Sequence, residues 1–194
     1  MKAPLIILAS ALPLAACISF GAKPPPSLLT LTTASALPVG QEQNSATARS
    51  ITIDVPVTPA ALATARVPVQ ATATSIAYIP NAQWSEPPAR LFARLMADTV
   101  TARTGRVVLS TVQAISDPSA QLSGELRTFG LDATARQATV TFDAALRRAG
   151  TGAIEKRRFQ ASVPVAAIDA ASAGTALNDA ANQVAVQVAD WVGR

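Results

Sequence analysis

The sequence predicts an α+β domain in which an antiparallel or mixed sheet packs against two main helices. Three observations carry that reading. Gln121 to Leu131, Gln137 to Leu146 and Lys156 to Val165 follow one another as strands, and the last two alternate apolar and polar residues along their length. Ser85 to Arg103 and Thr175 to Val192 instead repeat their apolar residues at spacings of three and four, the period of a helix with one buried side. The chain has 194 residues and no internal repeat, which is material for a single domain with a real core.

Taken in order, Ser27 to Thr33 reads as a first strand and Ala34 to Ala48, with Gly40 and Asn44, as a loop. Ser50 to Val57 alternates, which predicts Ile51, Ile53, Val55 and Val57 on a buried face and Thr52 and Asp54 on the other. Pro56 and Pro59 end that strand, and Pro59 to Ala63 reads as a short helical turn. Arg66 to Ala71 and Thr74 to Ile79 form a hairpin. In the first helix Ser85 is the expected cap, with Glu86, Pro87 and Pro88 in the first turn, where a missing amide hydrogen does no harm. Leu91, Phe92, Leu95, Met96 and Val100 face the core, Arg90, Arg94 and Asp98 lie opposite as i,i+4 neighbours, and Gly105 stops the helix in a left-handed conformation. Arg106 to Val112 is another strand, followed by a turn at Asp117-Pro118-Ser119. The three long strands then make a meander. Ala138, Val140, Phe142, Ala144 and Leu146 of one, and Phe159, Ala161, Val163 and Val165 of the next, point inward, and Gly150-Thr151-Gly152 forms the tip between them. Leu177, Ala181, Val184, Val188 and Trp191 make the buried stripe of the last helix, which Gly193 ends.

Composition removes most kinds of catalysis. There is no histidine, so the usual general base and the commonest metal ligand are both missing. Twelve carboxylates remain, but none forms the close pair that glycoside hydrolysis uses. Lys156 is the only lysine in the folded region, and no Ser-x-x-Lys occurs. The expectation is a protein that is not an enzyme and has neither a cofactor nor a metal. The formal net charge of +4 comes from scattered arginines rather than a basic stripe, so nucleic acid is not expected as a partner. Lipid headgroups or an acidic protein suit that charge at least as well.

The N-terminus supplies an anchor. After Met1-Lys2, the run from Ala3 to Leu14 has the length of a signal-peptide core, short of the roughly 20 residues a spanning helix needs. Leu14-Ala15-Ala16-Cys17, which contains the only cysteine of the chain, resembles the bacterial lipobox. That resemblance implies cleavage after residue 16 and lipidation of Cys17, with residues 17–26 as a Pro-rich tether and 27–194 as the domain. Each buried methylene contributes about 0.8 kcal/mol, so two or more acyl chains hold a protein firmly on a bilayer. Pro24-Pro25-Pro26 favours a polyproline II path of about 3.1 Å per residue. Ser19, where the sorting rule that accompanies the lipobox would place a retaining aspartate, implies the periplasmic face of the outer membrane.

Two further stretches are candidates for partner contact. Tyr78 to Pro88 contains the only tyrosine and one of the two tryptophans, which makes Tyr78, Asn81 and Trp84 candidate contact residues. Trp84 has a second reading, folding back as a staple onto the first turn of the helix. Arg147, Arg148, Lys156, Arg157 and Arg158 flank the Gly150 tip. They read either as a contact for anionic headgroups or an acidic partner, or as solvated charges that discourage edge pairing.

The order of these features resembles a known family. A lipobox, a short strand, the alternating Ile51-Thr52-Ile53-Asp54-Val55-Pro56 strand, Arg66-Val67-Pro68-Val69, a Tyr78-x5-Trp84-x-Glu86-Pro87 lead into a Leu-rich helix, a three-stranded meander and a closing helix are together similar to the ABC-type transport auxiliary lipoproteins, PqiC-like lipoproteins included. The resemblance spans Leu14 to Val192. It implies an accessory lipoprotein of an intermembrane phospholipid transport system, working beside an ABC ATPase, a permease and an MCE-domain protein, and docking that conduit at the outer membrane. It leaves the oligomeric state open, a homo-oligomer included. No Gly-x4-Gly-Lys-Ser/Thr is present, so ATP hydrolysis would belong to the partners. Two alternatives remain at this point: an assembly-factor lipoprotein serving a lipopolysaccharide translocon or a cell-wall synthase, and a periplasmic lipid carrier.

Overall fold

A computed structural model describes residues 27–110, 113, 119–150 and 152–194. Cys17, the signal peptide and the tether lie outside the described residues, as do Asp117-Pro118 and Thr151. The sheet contains β1 (Ser50–Ile53), β2 (Arg66–Thr72), β3 (Ser75–Gln83), β4 (Val107–Leu109), β5 (Ala120–Asp132), β6 (Gln137–Arg148) and β7 (Ile154–Pro164). The helices are α1 (Pro88–Thr104) and α2 (Ala170–Val192), and Ala60–Leu62 makes one 3₁₀ turn. The architecture is a single α+β domain with a mixed seven-stranded sheet.

β5 is the strand the others are built around. Along one side it pairs antiparallel with β6, which pairs with β7, so the expected meander forms, with one shift of register between β5 and β6. Along the other side it pairs parallel with β1 near its start and with β2 near its end. β3 completes a hairpin with β2, and β4 lies parallel to β1. One irregularity in β5, between Leu126 and Thr128, puts Arg127 and Thr128 outward together and leaves both Leu126 and Phe129 in the core.

The two helices cover one face of the sheet. Phe92 of α1 meets Phe129 of β5 and Phe142 of β6 edge-on, at centroid distances of 6.5 and 5.4 Å, and Trp191 of α2 lies 5.5 Å from Phe159 of β7. The core stripe expected for α1 is buried throughout, and Gly105 ends the helix at φ 67°. Ser85 is not the cap. The residue before a proline is driven into an extended conformation, so the helix starts only at Pro88, with Pro87 as its N-cap and no side-chain cap bond. Arg94 pairs with Glu86 across that turn, and the guanidinium hydrogen bond holds the Glu86 carboxyl below its ordinary value. Asp98 moves the other way, raised by partial burial against the opposing pull of Arg94.

α2 begins five residues earlier than its apolar period suggested. Asp169 caps it, its carboxylate accepting from the Ser172 amide at 2.8 Å. The first turn, Ala170-Ala171-Ser172-Ala173, is all small residues, and Gly174 follows it. The reason for that glycine is spatial: a Cβ there would sit 2.9 Å from the Leu29 side chain. None of the helices among the described residues is long and apolar enough to cross a membrane.

Two expected strands change. Ser27 to Thr33 forms no strand: Leu29 makes a single parallel bridge beside Trp84, and the chain then leaves the sheet. In the Ser50 to Val57 stretch, pairing with β5 proceeds from Ile53↔Leu122 to Val57↔Glu125, so one residue is left over around Pro56. A one-residue slip exchanges the faces of a strand. Val55 and Val57 are therefore 55% and 68% exposed rather than buried with Ile51, and Thr52 is buried. β4 is also shorter than Arg106 to Val112, and residues 111 and 112 lie outside the described residues.

Candidate functional site: an N-terminal strap and a basic pole

Beyond Leu29 the N-terminal segment runs as an extended strap along the helices. Its backbone partners are side chains of α2. The Thr32 amide donates to Asn178 Oδ1 at 2.9 Å, the Ala34 amide donates to Asn182 Oδ1 at 2.8 Å, and Asn182 Nδ2 donates back to the Thr32 carbonyl at 2.9 Å. Asparagines at i and i+4 share one side of a helix, so together they act as a substitute for a neighbouring strand. Thr33 touches Thr99 of α1 through their hydroxyls at 3.3 Å. At the start of the strap, Leu29 bonds in register with the end of β3: its amide donates to the Gln83 carbonyl and its carbonyl accepts from the Ser85 amide, both at 2.8 Å. The strap therefore advances along α2 from Gly174 past Asn178 to Asn182, and Ser27 lies at the end where α2 begins.

The opposite end of the domain is basic. Arg103 of α1 pairs with Asp190 of α2 at 2.7 Å, which places the C-terminal ends of the helices together. Arg148, at the end of β6, donates to the carbonyls of Trp191 and Val192 at 3.2 Å each and pairs with Glu155 at 2.8 Å. Arg106, only 7% exposed, also donates to the Val192 carbonyl, at 3.5 Å. Cations at a helix C-terminus meet orphan carbonyls and the negative end of the dipole. Burial, and then the charges of Arg49 and Arg148, push the Arg106 guanidinium below its ordinary value, which shows three arginines sharing one small region.

The candidate contact residues separate into two groups. Tyr78 is half-buried on β3, its hydroxyl donating to the Ala61 carbonyl at 3.4 Å while the Arg66 guanidinium lies 4.0 Å above its ring. Asn81 is exposed at φ 58°, a left-handed conformation that asparagine adopts more easily than most residues. Trp84 is a core residue, 1% exposed, and its indole stands edge-on to Phe129 at 5.4 Å. It is therefore not a surface contact, and among the described residues its Nε1 has no hydrogen-bond partner. β3 and β7 lie on opposite sides of the sheet with β2, β5 and β6 between them, so the Tyr78 group and the arginines do not form one surface.

The arginines themselves divide between two faces. β6 and β7 register pairs Asp143 with Arg158 and Arg147 with Ile154. Arg158, on the open face, holds Asp143 in two bonds of 2.6 and 2.7 Å, which lowers the Asp143 carboxyl below and raises Arg158 above their ordinary values. Arg147 on that face donates to Gln121 at 2.9 Å. Arg157 and Arg148 lie on the helix side, Arg157 stacking 5.0 Å over Phe159. A groove of about 670 Å³ on the open face is edged by Val57, Glu125, Asp143, Lys156 and Arg158. The strap is the feature that sequence reasoning missed, although Asn178 and Asn182 on one side of a helix gave a signal for it.

The chain matches the family model described as the ABC-type transport auxiliary lipoprotein component over residues 29–189. Its fold is similar to that of a Xanthomonas campestris protein of family DUF330, at 17% identity and a TM-score of 0.69, covering 86% of this chain and 94% of that one. It is also similar to the crystal structure of an uncharacterized protein, at 14% identity and a TM-score of 0.65, covering 74% and 92%. Comparison with curated protein sequences gives no match. A match that starts at the strap and ends in the last turns of α2 places this chain in the family of ABC-type transport auxiliary lipoprotein components.

Proposed function

We propose that the protein is a lipid-anchored, non-enzymatic accessory subunit of an MCE-type ABC system that moves phospholipid between membranes. It is anchored through Cys17 on the periplasmic face of the outer membrane, where it docks the transport conduit. The observation that carries this reading is the strap. A segment directly following the tether is bonded to β3, α1 and α2 in succession, so the point where the tether leaves the domain is fixed. The mechanism is positional: a short tether confines the domain to a thin layer beneath the bilayer and raises its effective concentration for an arriving partner.

The test combines labelling and capture. Palmitate is expected to label the wild type and not Cys17→Ser, and crosslinking in cells is expected to recover an MCE-domain protein. A β-barrel or a cell-wall synthase recovered instead would transfer the protein to the assembly-factor reading. Phospholipid retained by the unlipidated chain in native mass spectrometry would transfer it to the carrier reading.

A further inference from the structure

The tether outlet and the basic pole are at opposite ends of α2. Leu29 lies against Gly174, and Arg148 and Arg106 bond the Val192 carbonyl. At 1.5 Å per residue, Gly174 and Val192 are separated by about 27 Å. The tether residues 18–26, extended as polyproline II, reach about 28 Å. For the pole to touch the bilayer that holds Cys17, the tether would have to run taut along the whole flank of the domain. The strap prevents any shortening of that path, because residues 29–34 are bonded in the opposite sense, towards the pole.

The pole also presents groups that a protein segment can use. Arg49, Arg147, Lys156 and Arg157 are exposed there, and the described carboxylates nearby are already engaged: Glu155 by Arg148, Asp190 by Arg103, Asp143 and Glu125 by Arg158 and Arg127, and Asp54 by Gln121. Ile154 stands among them, 61% exposed, beside the free edge of β7. Cations around an apolar side chain at a strand edge match a protein segment that offers carboxylates, backbone groups and an apolar residue together.

We propose that this pole receives an acidic protein segment of the transport partner and faces away from the anchoring membrane. The proposal rests on the anchoring at Cys17 for its orientation and on charge alone for its partner, so each part has its own measurement. With the native cysteine lipidated, single cysteines at Thr30 and Ala149 take a fluorophore, and the full chain is placed on phosphatidylcholine–phosphatidylglycerol vesicles carrying a headgroup quencher. The Thr30 label is expected to be quenched several-fold more strongly than the Ala149 label. Equal or stronger quenching at Ala149 would show the pole lying on the membrane and overturn the proposal.

In the second measurement a short fluorescent polyglutamate peptide is titrated by anisotropy. The Arg147→Glu, Lys156→Glu, Arg157→Glu variant is expected to bind about tenfold more weakly, with the glutamine triple variant intermediate, whereas Arg90→Glu on α1 stays within about twofold of wild type. Equal binding by the wild type and the triple variants, or an equal loss in Arg90→Glu, would overturn it. If the wild type does not attach to vesicles, the anchoring reading fails, and the peptide titration still decides what the pole binds.

Discussion

The two halves of the sheet follow different rules. β5, β6 and β7 are long, antiparallel and in nearly unbroken register, and each inward residue of β6 is buried. β1, β2 and β4 are short, joined in parallel to β5 or to one another, and interrupted by a slip at Pro56 and a detour through the 3₁₀ turn. In the first half a strand's neighbours are its sequence neighbours, so local alternation determines which side is buried. In the second half the position of each piece is set by a strand about sixty or seventy residues away, as the pairs Thr52↔Gln121 and Val69↔Leu131 show.

The largest expected effect is at the joint between the halves. Phe129 of β5 touches Trp84, which follows β3, and Phe92 of α1. Phe129→Ala is expected to lose about 3–5 kcal/mol in urea unfolding. A loss of less than about 1 kcal/mol would mean that the halves are held together elsewhere. Next is Gly124 inside the regular half, where a Cβ would meet the Asp143 carbonyl and lie 2.7 Å from the Phe142 ring. Gly124→Ala should cost about 1–3 kcal/mol because backbone must move, and an unchanged midpoint would show that the meander is more pliable than its register implies.

Smaller still is the strap. Replacing Asn178 and Asn182 together by alanine removes bonds that contribute about 0.5–1.5 kcal/mol each. Hydrogen exchange should accelerate at the Thr32 and Ala34 amides and stay unchanged in β5 and β6. The smallest effect belongs to the exposed pair Arg158–Asp143. The folded Asp143 carboxyl lies below its unfolded value of about 3.9 because Arg158 bonds it. Its contribution is fully present above that pH and is lost as the pH falls through the folded value. Arg158→Ala should lower the urea midpoint slightly at neutral pH and leave it unchanged below the folded Asp143 value, so the midpoint falls less between neutral and acid pH than in the wild type.

This contrast also explains what could be read from the sequence. The meander, the hairpin, the core stripe of α1 and the Gly105 stop all depend on neighbours within a few residues, and they appear where alternation and spacing put them. The exposure of Val55 and Val57 depends on one surplus residue against β5, which no local pattern displays. The helix start ahead of Thr175 was missed, and the purpose of Gly174 there, clearance for Leu29, comes from 145 positions earlier in the chain. The candidate site was legible as residue types but not as a surface. Tyr78 and Arg147 stand on opposite sides of a sheet whose strand order comes from tertiary pairing, and Trp84 is core because Phe129 lies beneath it.

The direction of the strap has a mechanical consequence. A force that draws the N-terminal side of the strap away from the domain acts along the line joining Leu29, Thr32 and Ala34, so their bonds to Gln83, Asn178 and Asn182 carry the load in shear, side by side. Bonds sheared together resist more than bonds peeled one after another. Tension on the N-terminal side would therefore reach the helix layer before it could unthread the strap.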